Sequence, residues 1–224
     1  MFREINKRFK NAILMIAKRT EESVEFLGTG FIVSSYGHVL TCAHILNPTD
    51  KLVAIAANDN DSFSPITLER VTALDLTLVQ LDGIHDVALL KINNYPFLPV
   101  PNEIFGDATS VNSGAQIAIL GFPFGQNRLH SLSITHGIVS SKVMAADDLK
   151  LFQFDCMIHE GNSGSPLIEL RTNKIIGVVS SRFNPTPSNV RMMLGNRMIG
   201  VDTNISYAAI IDYGKALLEN EIKK

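Results

Sequence analysis

The stretch Glu160–Leu167, which reads Glu-Gly-Asn-Ser-Gly-Ser-Pro-Leu, places a serine two residues after one glycine and directly before another. Gly161 and Gly164 allow the chain a tight, partly positive-φ path around Ser163, because glycine has no Cβ to clash. On such a path the backbone N–H groups of Gly161 and Ser163 converge on one point. Converging N–H donors stabilise the oxyanion that forms in acyl transfer, so the stretch predicts an oxyanion hole beside a nucleophilic serine.

Two earlier segments supply the other groups that acyl transfer requires. The segment Leu40–His44 ends a predicted strand in a histidine, and Asp86 directly precedes the apolar run Val87–Ile92. Serine is too weak an acid to ionise at neutral pH, so a histidine must take its proton and an anion must hold that histidine in one tautomer. Each residue alone has an ordinary structural interpretation, as a strand-end histidine, a turn aspartate or a glycine-rich turn. Together they predict a catalytic triad of His44, Asp86 and Ser163.

The composition is that of an ordinary globular protein. Of the 224 residues, 46% are hydrophobic and 19% are charged, and the net charge is −2. This charge excludes nucleic acid or an anionic membrane as a partner held by bulk charge, and no stretch approaches the roughly 20 apolar residues of a membrane span. The apolar run Ala12–Ala17 is too short for an export signal, so a cytoplasmic location is predicted. His38, His130 and His136 lack metal-ligand spacing, and no metal or other cofactor is expected.

The two cysteines, Cys42 and Cys156, leave two interpretations open. They are either buried thiols in a reducing compartment or the partners of a single disulfide. Cysteine content therefore does not require an oxidising compartment.

Most of the chain consists of short β-branched or aromatic runs separated by Gly, Pro, Asn and Asp, which is typical of an all-β barrel or sandwich. The predicted strands are Ala12–Ala17, Val24–Val33, His38–Thr41, Leu52–Ala56, Leu76–Leu81, Val87–Ile92, Gln116–Leu120, Gly137–Ser141, Phe152–Asp155, Leu167–Leu170, Ile175–Ser180 and Ser206–Ile210. The proline-rich segment Asn94–Thr109 is predicted to connect two halves of the fold. The tract Phe183–Val201 is predicted as a long loop of the kind that often carries function.

Both ends of the chain are predicted to be helical. The N-terminal segment 1–10 carries an apolar stripe of Phe2, Ile5 and Phe9 among basic residues. The C-terminal segment 212–224 begins with an acid and ends in lysines, which suits the helix dipole, and its apolar positions fit a helix docked by one face.

The motifs in this order resemble those of trypsin-like serine proteases, and specifically those of the bacterial HtrA/Deg type. The order His, Asp, Ser is that of chymotrypsin-like enzymes and differs from that of subtilisins and α/β-hydrolases. The segments that carry the resemblance are Gly28–Val33, the strand ending at His44, Asp86–Ile92, Ile119–Gly125, His136–Ser141, Phe152–Asp155, the serine turn and Ile176–Val179.

The resemblance implies an all-β, chymotrypsin-like fold of two packed six-stranded antiparallel β-barrels. The expected divisions are a helical segment over 1–10, a first barrel over 11–100 with the histidine and aspartate, a second barrel over 101–211 with the serine, and a helix over 212–224. The implied activity is that of a serine endopeptidase acting on proteins or peptides.

The resemblance also places the primary specificity pocket. One wall precedes the nucleophile by about six residues, at Met157 and Ile158, and the opposing wall falls near Val178, Val179 and Ser180. Because neither wall carries an acid to pair with Lys or Arg, a preference for medium apolar residues at P1 is expected.

Departures from the family pattern leave two other interpretations open. Ser165 stands where the family usually has glycine, Cys42 stands where an HtrA-type chain often has asparagine, and no PDZ-like segment follows the protease segment. One alternative is an inactive pseudoprotease that acts as a binding module. The other is a protease switched on by a separate activator or by assembly into a homo-oligomer such as a trimer, with the stripe of Phe2, Ile5 and Phe9 as a candidate contact.

Overall fold

Twelve of the strands in the described part of the chain close into two six-stranded antiparallel barrels. The computed structural model describes residues 1–21, 23–58, 61–63, 65–67, 70–94, 100, 103–127, 130–182, 192–194, 197–199 and 205–223. The first barrel has the strand order β1-β2-β3-β6-β5-β4 and the second has the order β10-β11-β14-β9-β8-β7. The predicted two-barrel fold is therefore confirmed.

The helices and strands are numbered in chain order. They are α1 (Phe2–Phe9), β1 (Ile13–Arg19), β2 (Val24–Ile32), β3 (His38–Thr41), β4 (Leu52–Ala56), β5 (Ala73–Asp82), β6 (Val87–Ile92), β7 (Gln116–Gly121), β8 (Ser133–Met144), β9 (Lys150–Asp155), β10 (Pro166–Glu169), β11 (Lys174–Arg182), β12 (Met192–Leu194), β13 (Arg197–Ile199), β14 (Ile205–Ile210) and α2 (Ile211–Ile222). Both predicted terminal helices are present. Strands β12 and β13 pair within the tract predicted as a loop, and the other residues of that tract from 183 to 201 lie outside the described residues.

The strand register places the predicted catalytic residues at matching strand ends. In the first barrel β3 pairs with β6 so that Thr41 lies opposite Ala88, and the chain beyond each of these residues leads to His44 and Asp86. In the second barrel Pro166, just after the serine turn, lies opposite Val178, just before Ser180. Antiparallel pairing thus brings residues far apart in sequence to one side of each barrel.

The core of the described residues forms three apolar clusters. A strand that lies between two of these clusters, such as β1, is buried on both of its faces. On β1, Leu14 and Ile16 point into the first barrel, whereas Ile13 and Met15 join a cluster that also contains Leu120 of β7. This shared cluster lies between the barrels and explains why β1 reads as a continuous apolar run.

Helix α1 uses most of its apolar stripe within its own chain. Ile5 is 0% exposed and Phe9 is 3% exposed, and both belong to the cluster between the barrels. Phe2 is 39% exposed and packs edge-on against the His136 ring. The stripe therefore folds back onto the chain, and only Phe2 remains as an exposed part of the predicted contact surface.

The expected division at residues 100 and 101 stays a prediction. Of residues 95–102 only Val100 is described. Cys42 and Cys156 are both buried free thiols, which resolves the cysteine alternatives in favour of the reduced form. In the described residues, neither helix is long and apolar enough to span a membrane.

Candidate active site

The side chains of His44 and Asp86 form the best-defined polar pair at the junction of the barrels. His44 Nδ1 lies 2.8 Å from Asp86 Oδ2 and 2.9 Å from Oδ1. The backbone N–H of His44 also donates to Asp86 Oδ1 at 2.9 Å. The carboxylate therefore holds both the backbone and the ring of His44.

Ser180 is the second side chain that contacts the Asp86 carboxylate. Its hydroxyl donates to Asp86 Oδ2. Partial burial acts to raise the pKa of Asp86, but the hydrogen bonds from His44 and Ser180 outweigh it and hold the pKa below its ordinary value. An ionised carboxylate can only accept hydrogen bonds, so His44 must carry its proton on Nδ1. Its Nε2 is then free to act as a base.

Ser163 lies in a turn fastened to both barrels. Thr29 N of the first barrel donates to Ser163 O at 2.8 Å, and Gly164 N donates to Val179 O of the second barrel at 2.8 Å. The Ser163 hydroxyl donates to Ser180 O at 3.0 Å. Within the described residues the Ser163 hydroxyl therefore bonds to Ser180 and not to His44. Because the Ser180 hydroxyl in turn bonds to Asp86, Ser180 connects Ser163 to the His44–Asp86 pair.

The two peptide units beside Ser163 have fixed orientations. Asn162 N donates to His159 O at 3.0 Å, and Gly161, with a φ of 98°, occupies the position in this turn that favours glycine. The carbonyl of Glu160 accepts from Phe124 N at 2.7 Å, and the carbonyl of Asn162 accepts from Ser165 N at 3.0 Å.

These two carbonyl contacts determine where the neighbouring N–H groups point. In a planar trans peptide the C=O and N–H groups point in opposite directions. The Gly161 N–H therefore points away from Phe124 N, and the Ser163 N–H points away from Ser165 N. Within the described residues neither N–H group donates to another protein group.

A segment that the sequence interpretation did not assign to the site holds this turn in place. In addition to the hydrogen bond from its backbone N–H, Phe124 packs its ring against the His159 ring in a tilted arrangement, with 4.5 Å between the centroids. Gln126 Nε2 donates to Glu160 Oε2 at 2.6 Å. We call residues 122–127 the supporting segment. The sequence Pro-Phe-Gly at residues 123–125 indicates a turn, but it does not indicate a contact with the serine turn more than 30 residues away.

An open cleft of about 510 Å³ lies beside Ser163. Its lining residues are Phe124, Gln126, Asn127, Ile158, His159, Glu160, Ser163 and Ser180. Of the five predicted pocket residues, Ile158 and Ser180 line this cleft. Met157 is not among its lining residues, and the side chains of Val178 and Val179 are buried in the apolar clusters instead. These two valines alternate along β11, so their side chains leave opposite faces of the strand and enter different clusters.

The two substituted positions, Ser165 and Cys42, are both buried, and the Ser165 hydroxyl has no hydrogen-bond partner among the described residues. Ser165 is fully buried with a φ outside the left-handed region, so a side chain fits the backbone there. A Cβ on Gly121 would lie 2.2 Å from Ser165 Oγ, which shows that this glycine makes room for the hydroxyl. The Cys42 thiol is also fully buried and donates to Val179 O at 3.0 Å.

Cys42 also brings a sulfur close to the His44–Asp86 pair. The Cys42 sulfur, a His44 nitrogen and an Asp86 oxygen all lie within 4.8 Å of one another, and these donor types are the ones zinc prefers. Metals bind the thiolate form of cysteine. Burial, reinforced by the negative charge of Asp86, raises the pKa of the Cys42 thiol well above its ordinary value and so disfavours that form.

Comparison with known proteins places this geometry in a family. The family model described as "Trypsin-like peptidase domain" matches residues 28–178. A "Probable periplasmic serine endoprotease DegP-like" of Rickettsia conorii is 33% identical over 178 residues, covering 77% of this chain and 31% of that protein. A protein of the same name from Pseudomonas putida is 31% identical over 166 residues, covering 73% of this chain and 31% of that protein.

Solved structures agree with the two-barrel fold. The "HtrA-type protease AlgW with tripeptide" superimposes with a TM-score of 0.71 at 21% identity, covering 98% of this chain and 62% of that one. The serine endoprotease from Yersinia pestis gives a TM-score of 0.66 at 20% identity, covering all of this chain and 67% of that one. At these identities the likeness concerns the fold alone.

The comparisons also correct one expectation. The predicted cytoplasmic location is wrong, because the relatives matched over most of this chain are named periplasmic endoproteases. A short apolar run near the N-terminus was therefore a poor guide to location. The chain spans about a third of the length of these curated relatives, at 31% of each. By its match over residues 28–178, the chain belongs to the trypsin-like peptidase domain family.

Proposed function

We propose that the chain is a serine endopeptidase in which His44, Asp86 and Ser163 form the catalytic triad. The observations that support it most directly are the oriented His44, which is joined to Ser163 through Ser180, and the turn around Ser163. In that turn both neighbouring carbonyls are held by hydrogen bonds, and the N–H groups of Gly161 and Ser163 donate to no described protein group. A pseudoprotease has no need to hold both peptide units in this way. The relatives' names favour a periplasmic setting for the activity.

The proposed chemistry follows from these positions. Ser163 Oγ adds to the carbonyl carbon of the scissile peptide while His44 Nε2 takes its proton. Asp86 stabilises the resulting imidazolium, and the N–H groups of Gly161 and Ser163 receive the new oxyanion. The C–N bond then breaks, the imidazolium gives its proton to the leaving amine, and water hydrolyses the acyl-enzyme.

The resting hydroxyl of Ser163 supports a refinement of this proposal. It donates to Ser180 O, and in many enzymes the bond between nucleophile and base tightens only when substrate is bound. We expect Ser163 to exchange Ser180 for His44 when a peptide enters the cleft. An activator or assembly into a homo-oligomer would act at this step by favouring the hydrogen bond from the Ser163 hydroxyl to His44 over the one to Ser180.

Labelling with a fluorophosphonate tests the proposed function. This probe reacts with a serine only where a base and an oxyanion hole are assembled. Labelling of the wild-type chain that disappears in Ser163→Ala supports the proposal. If the wild-type chain stays unlabelled both alone and in a cell extract that supplies possible activators, the pseudoprotease alternative is favoured.

The specificity of the proposed enzyme rests on the base of the cleft. Ile158 is 4% exposed there, and the acid that lines the cleft, Glu160, is engaged by Gln126. We therefore expect a peptide library to be cleaved mainly after medium apolar residues. Cleavage dominated by Arg or Lys at P1 would contradict this expectation, and Ser163→Ala provides the blank for contaminating proteases.

The supporting segment gives a prediction about turnover. Replacing Gln126 with alanine removes its bond to Glu160 and loosens the turn that carries the Gly161 N–H. A bond of this kind contributes about 1 kcal/mol, so kcat should fall about fivefold. KM should change little, because the loss affects the oxyanion more than the bound peptide.

Steady-state kinetics on one peptide substrate measure this effect. Gln116→Ala, on an exposed position of β7, is the matched control. Equal kcat values for the Gln126 variant and the control would show that the segment does not support the oxyanion turn.

A further inference from the structure

The loop between β5 and β6 presents Asp86 in an unusual backbone conformation. Asp86 has a φ of 55°, in the left-handed region that residues with a Cβ seldom adopt. Rotation back to a negative φ would swing the carboxylate away from His44. Something in the surrounding structure must therefore hold the loop.

Asp82, at the end of β5, stabilises this loop through hydrogen bonds to its carboxylate. Its Oδ1 accepts from the backbone N–H groups of Ile84 at 3.1 Å and His85 at 3.0 Å. Its Oδ2 lies 2.6 Å from His85 Nδ1. The residue directly before Asp86 is thus held at both its backbone and its side chain.

The C-terminal helix holds the other side of the His85 ring. Tyr213, in the first turn of α2, stacks on this ring with 3.8 Å between centroids and 22° between planes. Its own hydroxyl accepts from Lys150 N at 2.9 Å, so the tyrosine ring is fixed in turn. Gly214 of α2 packs so closely on Leu40 that an added Cβ would lie 2.7 Å from that side chain.

The electrostatic character of the pair agrees with this arrangement. The Asp82 and His85 side chains are 27% and 29% exposed, so their contact is shielded from much of the solvent. Partial burial acts to raise the pKa of Asp82, but hydrogen bonds from His85 and Ile84 outweigh it and keep the carboxylate ionised. The pair therefore persists at neutral pH.

From these contacts we infer that His85 is a positioning residue for the proposed catalytic aspartate. Its imidazole, held between Asp82 and the Tyr213 ring, keeps Asp86 in its left-handed conformation and hence its carboxylate on His44. The inference rests on the proposed function for its effect on rate but not for its effect on geometry. It makes helix α2 part of the support of the active site.

The test compares His85→Ala with a matched loss of another histidine–aromatic contact, His136→Ala, whose ring packs on Phe2 away from the triad. Misplaced catalytic groups cost between about tenfold and a hundredfold in rate, so kcat of His85→Ala should fall within that range with KM nearly unchanged. His136→Ala should retain wild-type kcat. Tyr213→Leu should reproduce the effect in part, whereas Tyr213→Phe, which keeps the stacked ring and loses only the hydroxyl's contact with Lys150 N, should have a smaller effect than Tyr213→Leu.

A second readout does not require activity. The Nδ1 proton of a histidine bonded to a carboxylate gives a strongly downfield proton resonance. His44 and His85 both have this contact, so the His44 resonance is first assigned by its absence in His44→Ala and is then followed in an inactive Ser163→Ala background. Loss or upfield movement of the His44 resonance in the His85→Ala and Tyr213→Leu forms supports the inference even if the proposed peptidase activity fails. If the folded variants keep both the His44 resonance and the wild-type kcat, the inference is overturned. This holds even if the variants have a lower thermal unfolding midpoint.

Discussion

Replacing Ser163 with alanine should lower kcat on a peptide substrate by about a millionfold, leaving only a small residual acceleration. The loss is this large because the nucleophile, the base and the anion act as a unit, and removing the serine makes the others useless for covalent catalysis. The oxyanion donors remain, since the Gly161 and Ser163 N–H groups belong to the backbone. They and substrate binding account for the residual rate.

Hydrolysis should be measured with a fluorogenic peptide at high enzyme concentration. Ser133→Ala in β8 is the matched serine replacement away from the cleft, and it should keep wild-type activity. Ser163→Ala should lower the thermal unfolding midpoint by no more than about 2–4 °C, because it removes a single partly buried hydrogen bond, the one to Ser180 O. A Ser163→Ala form that retains most of the activity would show that another residue is the nucleophile.

The barrel strands were predictable because their signals are local. All twelve predicted runs overlap barrel strands, and three of them, such as Val87–Ile92, match to the residue. Differences arise where a strand extends past its apolar run, as in β8, which begins at Ser133 rather than Gly137. There the ladder with β7 determines the strand, since hydrogen bonds continue through polar residues.

The predicted triad residues could be selected because His44 and Asp86 lie next to recognisable strands and Ser163 lies between the glycines of a short turn. The supporting segment could not be selected, because its role depends on contacts with a turn that is distant in sequence. Phe124 illustrates this point. Its backbone N–H, rather than its side chain type, holds the Glu160 carbonyl.

The apolar stripe of the N-terminal segment predicted the helix better than it predicted which surface covers that helix. The stripe of Phe2, Ile5 and Phe9 predicted a helix correctly, yet periodicity does not tell whether the chain or another copy covers that face. In the structure the chain itself covers Ile5 and Phe9. The family resemblance likewise implied that Val178 and Val179 form a pocket wall, whereas in the structure strand alternation sends their side chains into the core.

Replacing Asp86 with asparagine should lower kcat by about ten-thousandfold with little change in KM. An amide at this position can donate a hydrogen bond, so it favours a proton on His44 Nε2 and removes the base from the side that faces the substrate. With its oxygen in the place of Oδ1, the amide would still accept from the His44 backbone N–H, so the backbone should keep its place. The amide NH2 in the place of Oδ2 cannot accept from Ser180, so that hydroxyl must turn away. Asp75→Asn on the exposed Arg19–Asp75 pair is the matched control and should retain full activity.

The same replacement should change how stability depends on pH. Because the folded chain holds the pKa of Asp86 below its ordinary value of 3.8, the unfolded chain binds that proton first as the pH falls. Asp86 therefore contributes stability above about pH 4 that is lost as the pH drops through its folded pKa, and Asp86→Asn cannot show this loss. Urea unfolding of both forms between neutral and acidic pH should show the difference in their free energies of unfolding shrink below about pH 4. A constant difference across this range would mean that the contacts with His44 and Ser180 do not lower the pKa of Asp86 in the folded chain.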